Sequence, residues 1–355
     1  MKTTRLAQLA SLAVVGSMAL AACGSDNTTG TTSAEGSSSS ASASESAATE
    51  CFSGTINAEG SSAQKNAIEE AIASYGEACK DAKLNYNPTG SGSGIKQFIA
   101  GQVDFAGSDS ALKTEGKDGA QSEAAQAEAF CGSPAWNLPM VTGPIAIAFN
   151  VKGVDKLTIT PAVAADIFSG KITTWNDAKI AEINKGVTLP ATAIKVFFRS
   201  DESGTTENFT KYLKAAAPEG WTADASKKWT GAGEGKEKSA GVAEGVKSTD
   251  GGVTYVEWSY AKDNKLGIAS VDNGAGAVEL TGESVGKAVA VAEQAGTGND
   301  LALKLDYATK EAGAYPIILV TYEIVCSKNK DAEKGKNIKA FLKHFASTDV
   351  QKGLE

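Results

Sequence analysis

The chain has 355 residues, a formal charge of −8 and a 42% hydrophobic fraction, enough for two lobes with separate cores. An acidic chain of this kind makes a poor partner for nucleic acid or for an anionic lipid surface. Its one histidine, His344, and the lack of any closely spaced cysteine pair count against triad hydrolases and zinc enzymes, so neither a metal nor a cofactor is expected.

Lys2 and Arg5 precede a mostly apolar run over residues 6–20, which ends in Leu20-Ala21-Ala22-Cys23. The run is too short for a comfortable bilayer span, and its small residues before a cysteine resemble a bacterial lipoprotein signal. Residues 1–22 would then be removed and Cys23 would carry the lipid. Residues 23–50 hold that cysteine and a Ser-, Thr-, Ala- and Gly-rich stretch without an aromatic side chain. Such a stretch has nothing to bury and reads as a disordered tether. The body keeps four cysteines, Cys51, Cys79, Cys131 and Cys326. Outside the cytosol an even number favours disulfides, and three pairings are open.

In the body, strand and helix patterns alternate. Residues 52–57 read as a strand, and 64–78 as a helix with Ile68, Ile72 and Tyr75 on one face. Strands follow at 84–87 and 103–106, with a helix over 94–100 between them. Residues 113–129 read as helix and loop, 141–151 as an apolar strand, and 162–168 as a helix running into Ser169-Gly170-Lys171. A strand at 194–198 and a helix at 205–214 come before a glycine-rich, irregular 231–252. A long β-branched strand at 317–325 and a helix at 332–346 close the chain, with His344 on that helix face. The alternation predicts an α/β fold with mainly parallel sheets.

Three segments share one design: Gly60-Ser61-Ser62-Ala63, Thr89-Gly90-Ser91-Gly92-Ser93-Gly94 and Ser203-Gly204-Thr205-Thr206. Each follows a strand pattern and opens a helix. The first turn of a helix leaves backbone N–H groups without partners and carries positive potential, so an anion is its natural guest. Arg199 is the only arginine beyond the signal region and ends a strand just before Ser200-Asp201-Glu202-Ser203. Its planar guanidinium can make two parallel bonds to an oxyanion. A salt bridge to Asp201 or Glu202 is compatible with that role, since a neighbouring acid could hold Arg199 in place. Asp109 follows a strand and two small residues, an edge position where open α/β sheets meet ligands; a helix N-cap is the alternative reading.

The ordered motifs resemble those of the phosphate-binding proteins of bacterial ABC phosphate importers, across essentially the whole body. They are Asn85-Tyr86 through Gly94-Ile95-Lys96-Gln97, then Val103-Asp104-Phe105-Ala106-Gly107-Ser108-Asp109, then Ile167-Phe168-Ser169-Gly170-Lys171-Ile172 with Trp175-Asn176-Asp177. Arg199 through Thr205 and Tyr255-Val256-Glu257-Trp258 complete the set. The first loop departs from the Gly-Ala-Thr-Phe-Pro type of many relatives but keeps a hydroxyl and backbone N–H groups.

The resemblance implies a two-lobe, periplasmic-binding-protein-like (type II) α/β fold, crossed twice by the chain near residues 141–142 and 320–321. Lobe I would be 51–141 plus 321–355, and lobe II 142–320. Phosphate would meet Ser62, Ala63, Ser91 and Asp109 from lobe I, and Arg199, Ser203, Gly204 and Thr205 from lobe II. The implied function is extracytoplasmic capture of inorganic phosphate by a lipid-anchored monomer that delivers it to importer permease subunits, without catalysis. Two other readings are a receptor for a different tetrahedral oxyanion and a phosphate-ester hydrolase using Ser203 or Ser91. For the cysteines, the strand–helix hairpin that begins at Cys51 and ends at Cys79 brings its ends to one edge, which predicts Cys51–Cys79. Elimination then predicts Cys131–Cys326, both of which flank the crossings on the lobe I side.

Overall fold

The computed structural model describes residues 49–354; the signal-like start, Cys23 and the tether up to residue 48 lie outside the described residues. The strands and helices β1 (Gly54–Gly60), α1 (Lys65–Ala78), β2 (Ala82–Asn87), α2 (Ser91–Ile99), β3 (Phe105–Ser108) and α3 (Glu123–Cys131) lead into the long β4 (Ala135–Asn150). Next come β5 (Thr158–Ile159), α4 (Pro161–Phe168), α5 (Ala178–Ile183), β6 (Lys195–Arg199), α6 (Gly204–Ala216), β7 (Glu234–Lys236), α7 (Lys238–Lys247), β8 (Gly252–Glu257) and α8 (Trp258–Asp263). The short β9 (Gly267–Ile268), β10 (Ser270–Asp272) and β11 (Ala277–Val278), then α9 (Gly282–Ala290), β12 (Glu293–Gln294) and β13 (Leu303–Lys304), precede β14 (Ile318–Cys326), α10 (Ala332–Phe345) and α11 (Thr348–Gly353).

Local chemistry sets the helix starts. Thr160 and Ser203 cap α4 and α6 by accepting from Val163 N and Thr206 N, and Pro161 opens α4, where its missing N–H costs nothing. α1 buries Ile68, Ala71 and Tyr75, one face at helical spacing.

One nine-stranded sheet organises the body, in the order β2-β1-β3-β14-β4-β8-β6-β7, with β9 also paired to β4. β1, β2 and β3 run parallel to one another, as do β6, β7 and β8. The middle departs from the expected parallel pattern. β14 is antiparallel to both β3 and β4, and β4 is antiparallel to β8. Each of these two long strands serves two cores. Around β1, α1 and α10 lie Ile56, Ile68, Tyr75, Phe105 and Phe341, joined by Met140 of β4 and Val325 of β14. Around α4, α6 and β8 lie Phe168, Phe209 and Tyr255, joined by Ile145 of β4 and Leu319 of β14. A smaller cluster of Ile95, Phe98, Ala127 and Ile324 lies under α2 and α3. At the change-over Thr142 faces Val320 and Val141 faces Thr321, and the register shifts between Thr321 and Tyr322.

The structure pairs Cys51 with Cys79 and Cys131 with Cys326, at Cα–Cα distances of 5.3 and 5.4 Å. Among the elements that differ from the sequence reading are β4 and α7. β4 begins at Ala135, well before the expected 141, because its first residues, interrupted by Asn137 and Pro139, pair with the end of β14. The stretch expected to be irregular contains α7, which buries Val242, Ala243 and Val246; Gly245 lets it sit on Phe197, 3.0 Å from where a Cβ would be.

Candidate anion-binding site

Every residue singled out for ligand contact falls in one buried cluster. At the end of β1, a Cβ on Gly60 would lie 2.0 Å from the Gly107 carbonyl oxygen, so only glycine allows that approach. Ser61 N then donates to the same oxygen at 2.8 Å. This docks the loop of Ser61, Ser62 and Ala63 onto the end of β3. Ser61 Oγ donates to Asp109 Oδ1 and accepts from Ala63 N at 3.0 Å.

Asp109 is the centre of the cluster. Besides Ser61, Thr321 Oγ1 donates to Oδ1 at 3.0 Å and Thr205 Oγ1 to Oδ2 at 3.1 Å. Its own N–H donates to Ser91 Oγ at 3.2 Å, in the first turn of α2. No described helix starts after it until α3, so the N-cap reading does not apply. Gly204 opens α6 directly against this group: a Cβ there would lie 2.5 Å from Ser91 Oγ and 2.7 Å from Asp109 Cβ. The starts of α2 and α6 therefore converge on one spot.

Arg199, at the end of β6, is 2% exposed. Its Nε donates to Asp201 Oδ1 at 2.7 Å and its Nη2 to Asp201 Oδ2, a two-point ion pair. Nη1 donates to Ser239 Oγ at 3.3 Å. A guanidinium has five N–H donors, so two remain for a guest. Asp201 also accepts from Lys238 N at 2.9 Å. Burial works against the charge on Arg199, but Asp201 more than offsets it and holds the guanidinium protonated. Burial likewise opposes ionisation of Asp201, and Arg199 overcomes it, keeping the acid below its usual range. At Asp109 the balance reverses. Burial pushes its acid up, and the hydroxyls of Ser61, Thr321 and Thr205 with the Arg199 charge only partly counter it.

Three contributors were absent from the list of expected ligand residues. Ser239, in the first turn of α7, exchanges a hydrogen bond with Ser62 Oγ at 3.1 Å, and its N–H donates to the same oxygen at 3.1 Å. Thr321 and Ser61 both serve Asp109. Ser239 had one readable signal: Ser239, Val242, Ala243 and Val246 repeat at helical spacing inside the glycine-rich stretch. Further contacts close the cluster over. Gly92 N donates to Glu202 O at 3.0 Å, and Glu202 bridges Lys96 at 2.5 Å and Lys228 at 3.3 Å. Tyr260 donates to the Ser62 carbonyl at 2.8 Å. Among the described residues no group of His, Cys, Asp and Glu could hold a metal ion. What the arrangement offers is a dry pocket wall with a fixed cation, two helix N-termini, several hydroxyls and one carboxylate.

A family model described as a PBP superfamily domain matches residues 22–349. Phosphate-binding protein PstS 3 of Mycobacterium tuberculosis is 43% identical over 349 residues, covering 96% of this chain and 90% of that protein. Phosphate-binding protein PstS 2 of the same organism is 41% identical over 361 residues, covering 100% and 94%. Among solved structures, a putative phosphate ABC transporter substrate-binding protein from Clostridium perfringens, with bound phosphate, has a TM-score of 0.60 at 19% identity. It covers 84% of this chain and 96% of that one. A high-affinity periplasmic phosphate-binding protein, PfluDING, has a TM-score of 0.65 at 22% identity, covering 83% and 87%; at these identities the likeness is one of fold. The chain belongs to the PBP superfamily and, within it, to the family of the PstS phosphate-binding proteins.

Proposed function

We propose that the protein binds inorganic phosphate at this cluster and delivers it to an ABC phosphate importer. Ser62, Ala63, Ser91 and Asp109 would meet the ligand from one lobe, residues 51–141 plus 321–355. Arg199, Ser203, Gly204 and Thr205 would meet it from the other, 142–320. Cys23 would carry the lipid that holds the monomer at the outer face of the membrane; no helix among the described residues is long and apolar enough to cross one.

The observation that carries the reading is the pairing, in one buried site, of a guanidinium with free donors and a carboxylate. An oxyanion satisfies the first. Only an oxyanion that keeps a proton satisfies the second, because Asp109 can accept from a P–OH group. Sulfate has no such proton and would set its oxygens against the carboxylate lone pairs. Binding without chemistry also fits. Ser91 Oγ accepts from Asp109 N, Ser203 Oγ accepts from Thr206 N, and the sole histidine pairs with Ser74 at 2.9 Å on α1, in a different core. Neither serine hydroxyl is hydrogen-bonded to a carboxylate or histidine that could take its proton.

Calorimetry of the purified protein with phosphate, arsenate and sulfate tests the reading. Phosphate and arsenate are expected to compete for one site, since they share shape and protonation, and sulfate is expected to bind far more weakly. Equal affinity for sulfate would overturn it.

A further inference from the structure

Glu323 is fully buried on β14, and the ligand cluster does not use it. It lies two residues from Thr321, so both side chains project from the same face of the strand, where Thr321 donates to Asp109. Opposite Glu323 on β3 is Gly107. A Cβ on Gly107 would meet Gln64 Nε2 at 2.0 Å and the Tyr86 hydroxyl oxygen at 2.6 Å. The Gln64 amide and the Tyr86 hydroxyl therefore lie directly on that backbone.

Two of the donors there run in a chain. Gln64 Nε2 donates to the Tyr86 hydroxyl at 2.9 Å, and Tyr86 donates to the Ser61 carbonyl at 2.8 Å. This fixes the amide orientation, because a reversed Gln64 would present its oxygen to a hydroxyl whose proton already goes to Ser61. Gln64 Oε1 and both carboxyl oxygens of Glu323 are buried without a hydrogen-bond partner, and the second Gln64 N–H, the donor that acts on Glu323, cannot serve its own Oε1. A buried polar group left without a partner is costly, and more so when charged. A proton on Glu323 would supply the donor that Gln64 Oε1 lacks.

We propose that Glu323 is a positioning residue, held as the neutral acid, whose proton completes a hydrogen-bonded chain through Gln64 and Tyr86 to Ser61. That chain sets the loop of Ser61, Ser62 and Ala63 against Asp109 and the ligand, so the inference rests on the phosphate-site reading above. The ionisable groups that face Glu323 are Asp109 and Tyr86; neither a lysine nor an arginine is among them. From β4 it meets the uncharged Leu138. Burial pushes its acid up to about 8, with Asp109 adding to the effect and the Gln64 amide opposing it. The Tyr86 hydroxyl is pushed well above its usual range, first by burial and then by Glu323, and so stays protonated. A raised acid contributes in its protonated form, below that pH, and the contribution is lost as pH rises through it. Phosphate binding should therefore weaken from pH 7 to pH 9.

The test measures phosphate affinity against pH for the wild type, Glu323→Gln and Arg199→Ala. Glu323→Gln keeps an N–H donor for Gln64 and has no proton to lose. It is expected to match the wild type at pH 7 and to bind about tenfold tighter than it at pH 9, one unit past ionisation. Phosphate's own ionisation is common to both proteins and cancels. Infrared spectra provide a second measurement: the wild type at pH 7 should show a buried carboxylic-acid C=O stretch that Glu323→Gln lacks. If the variant does not fold, Tyr86→Phe, which cuts the link to Ser61, should flatten the same pH step. Identical pH profiles for wild type and variant would overturn the inference. So would an ionised carboxyl at pH 7, as for a carboxylate that accepts from a buried water. If Arg199→Ala still binds phosphate normally, the site reading itself fails; if Arg199→Ala fails to bind and Glu323→Gln tracks the wild type, only this inference fails.

Discussion

Asp109→Asn tests the choice of phosphate over sulfate. A carboxylate has about four acceptor positions on its two oxygens. In Asp109 two are filled on Oδ1, by Ser61 and Thr321, and one on Oδ2, by Thr205. One position on Oδ2 is left for the proton of a bound phosphate. Asparagine keeps a single oxygen, and its amide can donate where the carboxylate accepted. Losing that charged hydrogen bond should weaken phosphate by about 1.5–3 kcal/mol, roughly 10- to 150-fold. Sulfate should gain, because an N–H now faces its oxygens and a like charge is gone. The phosphate-to-sulfate affinity ratio is therefore predicted to narrow by at least about tenfold. Calorimetry with both ligands, on wild type and variant at one pH and salt, reads the ratio directly. Because burial raises the Asp109 acid in the folded state, its contribution to stability is present at low pH and lost as pH rises through the folded value. At pH 7 the ligand-free variant should for that reason be no less stable on this account, which separates a binding effect from a folding one. An unchanged ratio in a folded variant would remove Asp109 from ligand selection and refute the proton argument.

Two further substitutions probe the other half of the cluster. Arg199→Ala removes the cation and leaves Asp201 buried alone, so it should cost about 2–5 kcal/mol of phosphate binding; Arg199→Lys should recover only part, since an ammonium cannot reproduce the two-point fork. Affinity within threefold of wild type for Arg199→Ala, measured by the same calorimetry, would mean that the site is misplaced. Gly204→Ala puts a Cβ 2.5 Å from Ser91 Oγ and 2.7 Å from Asp109 Cβ; scattering and calorimetry should find a folded but more open protein whose affinity is at least about tenfold lower, and wild-type affinity would show that α6 need not approach α2.

Much of the site was legible because its chemistry is local. The segments around Ser62, Ser91 and Ser203 announce helix starts through their own hydroxyls and glycines, and Arg199 stands out as the one arginine of the body. Thr321 was not legible. β14 is buried on both faces, so it lacks the alternation that tells which side a hydroxyl takes. Ser239 was hidden because glycines at 235, 241, 245, 251 and 252 read as loop, whereas Gly245 serves close packing against Phe197. The antiparallel centre of the sheet was missed for a related reason. A long apolar run fixes a strand but not its direction, which depends on the partner found some 180 residues away. The disulfides were within reach because a strand–helix hairpin closes its own ends.

The register shift between β14 and β4 falls between Thr321 and Tyr322. Thr321 sits where β14 passes from one core to the other, and its hydroxyl is one of the three that hold Asp109. Changes at this register shift would also reposition Asp109, the proposed acceptor of the ligand's proton. On the proposed reading, a substitution that loosens this crossing would act on two things at once, the packing of the crossing strand and the anion that the site admits.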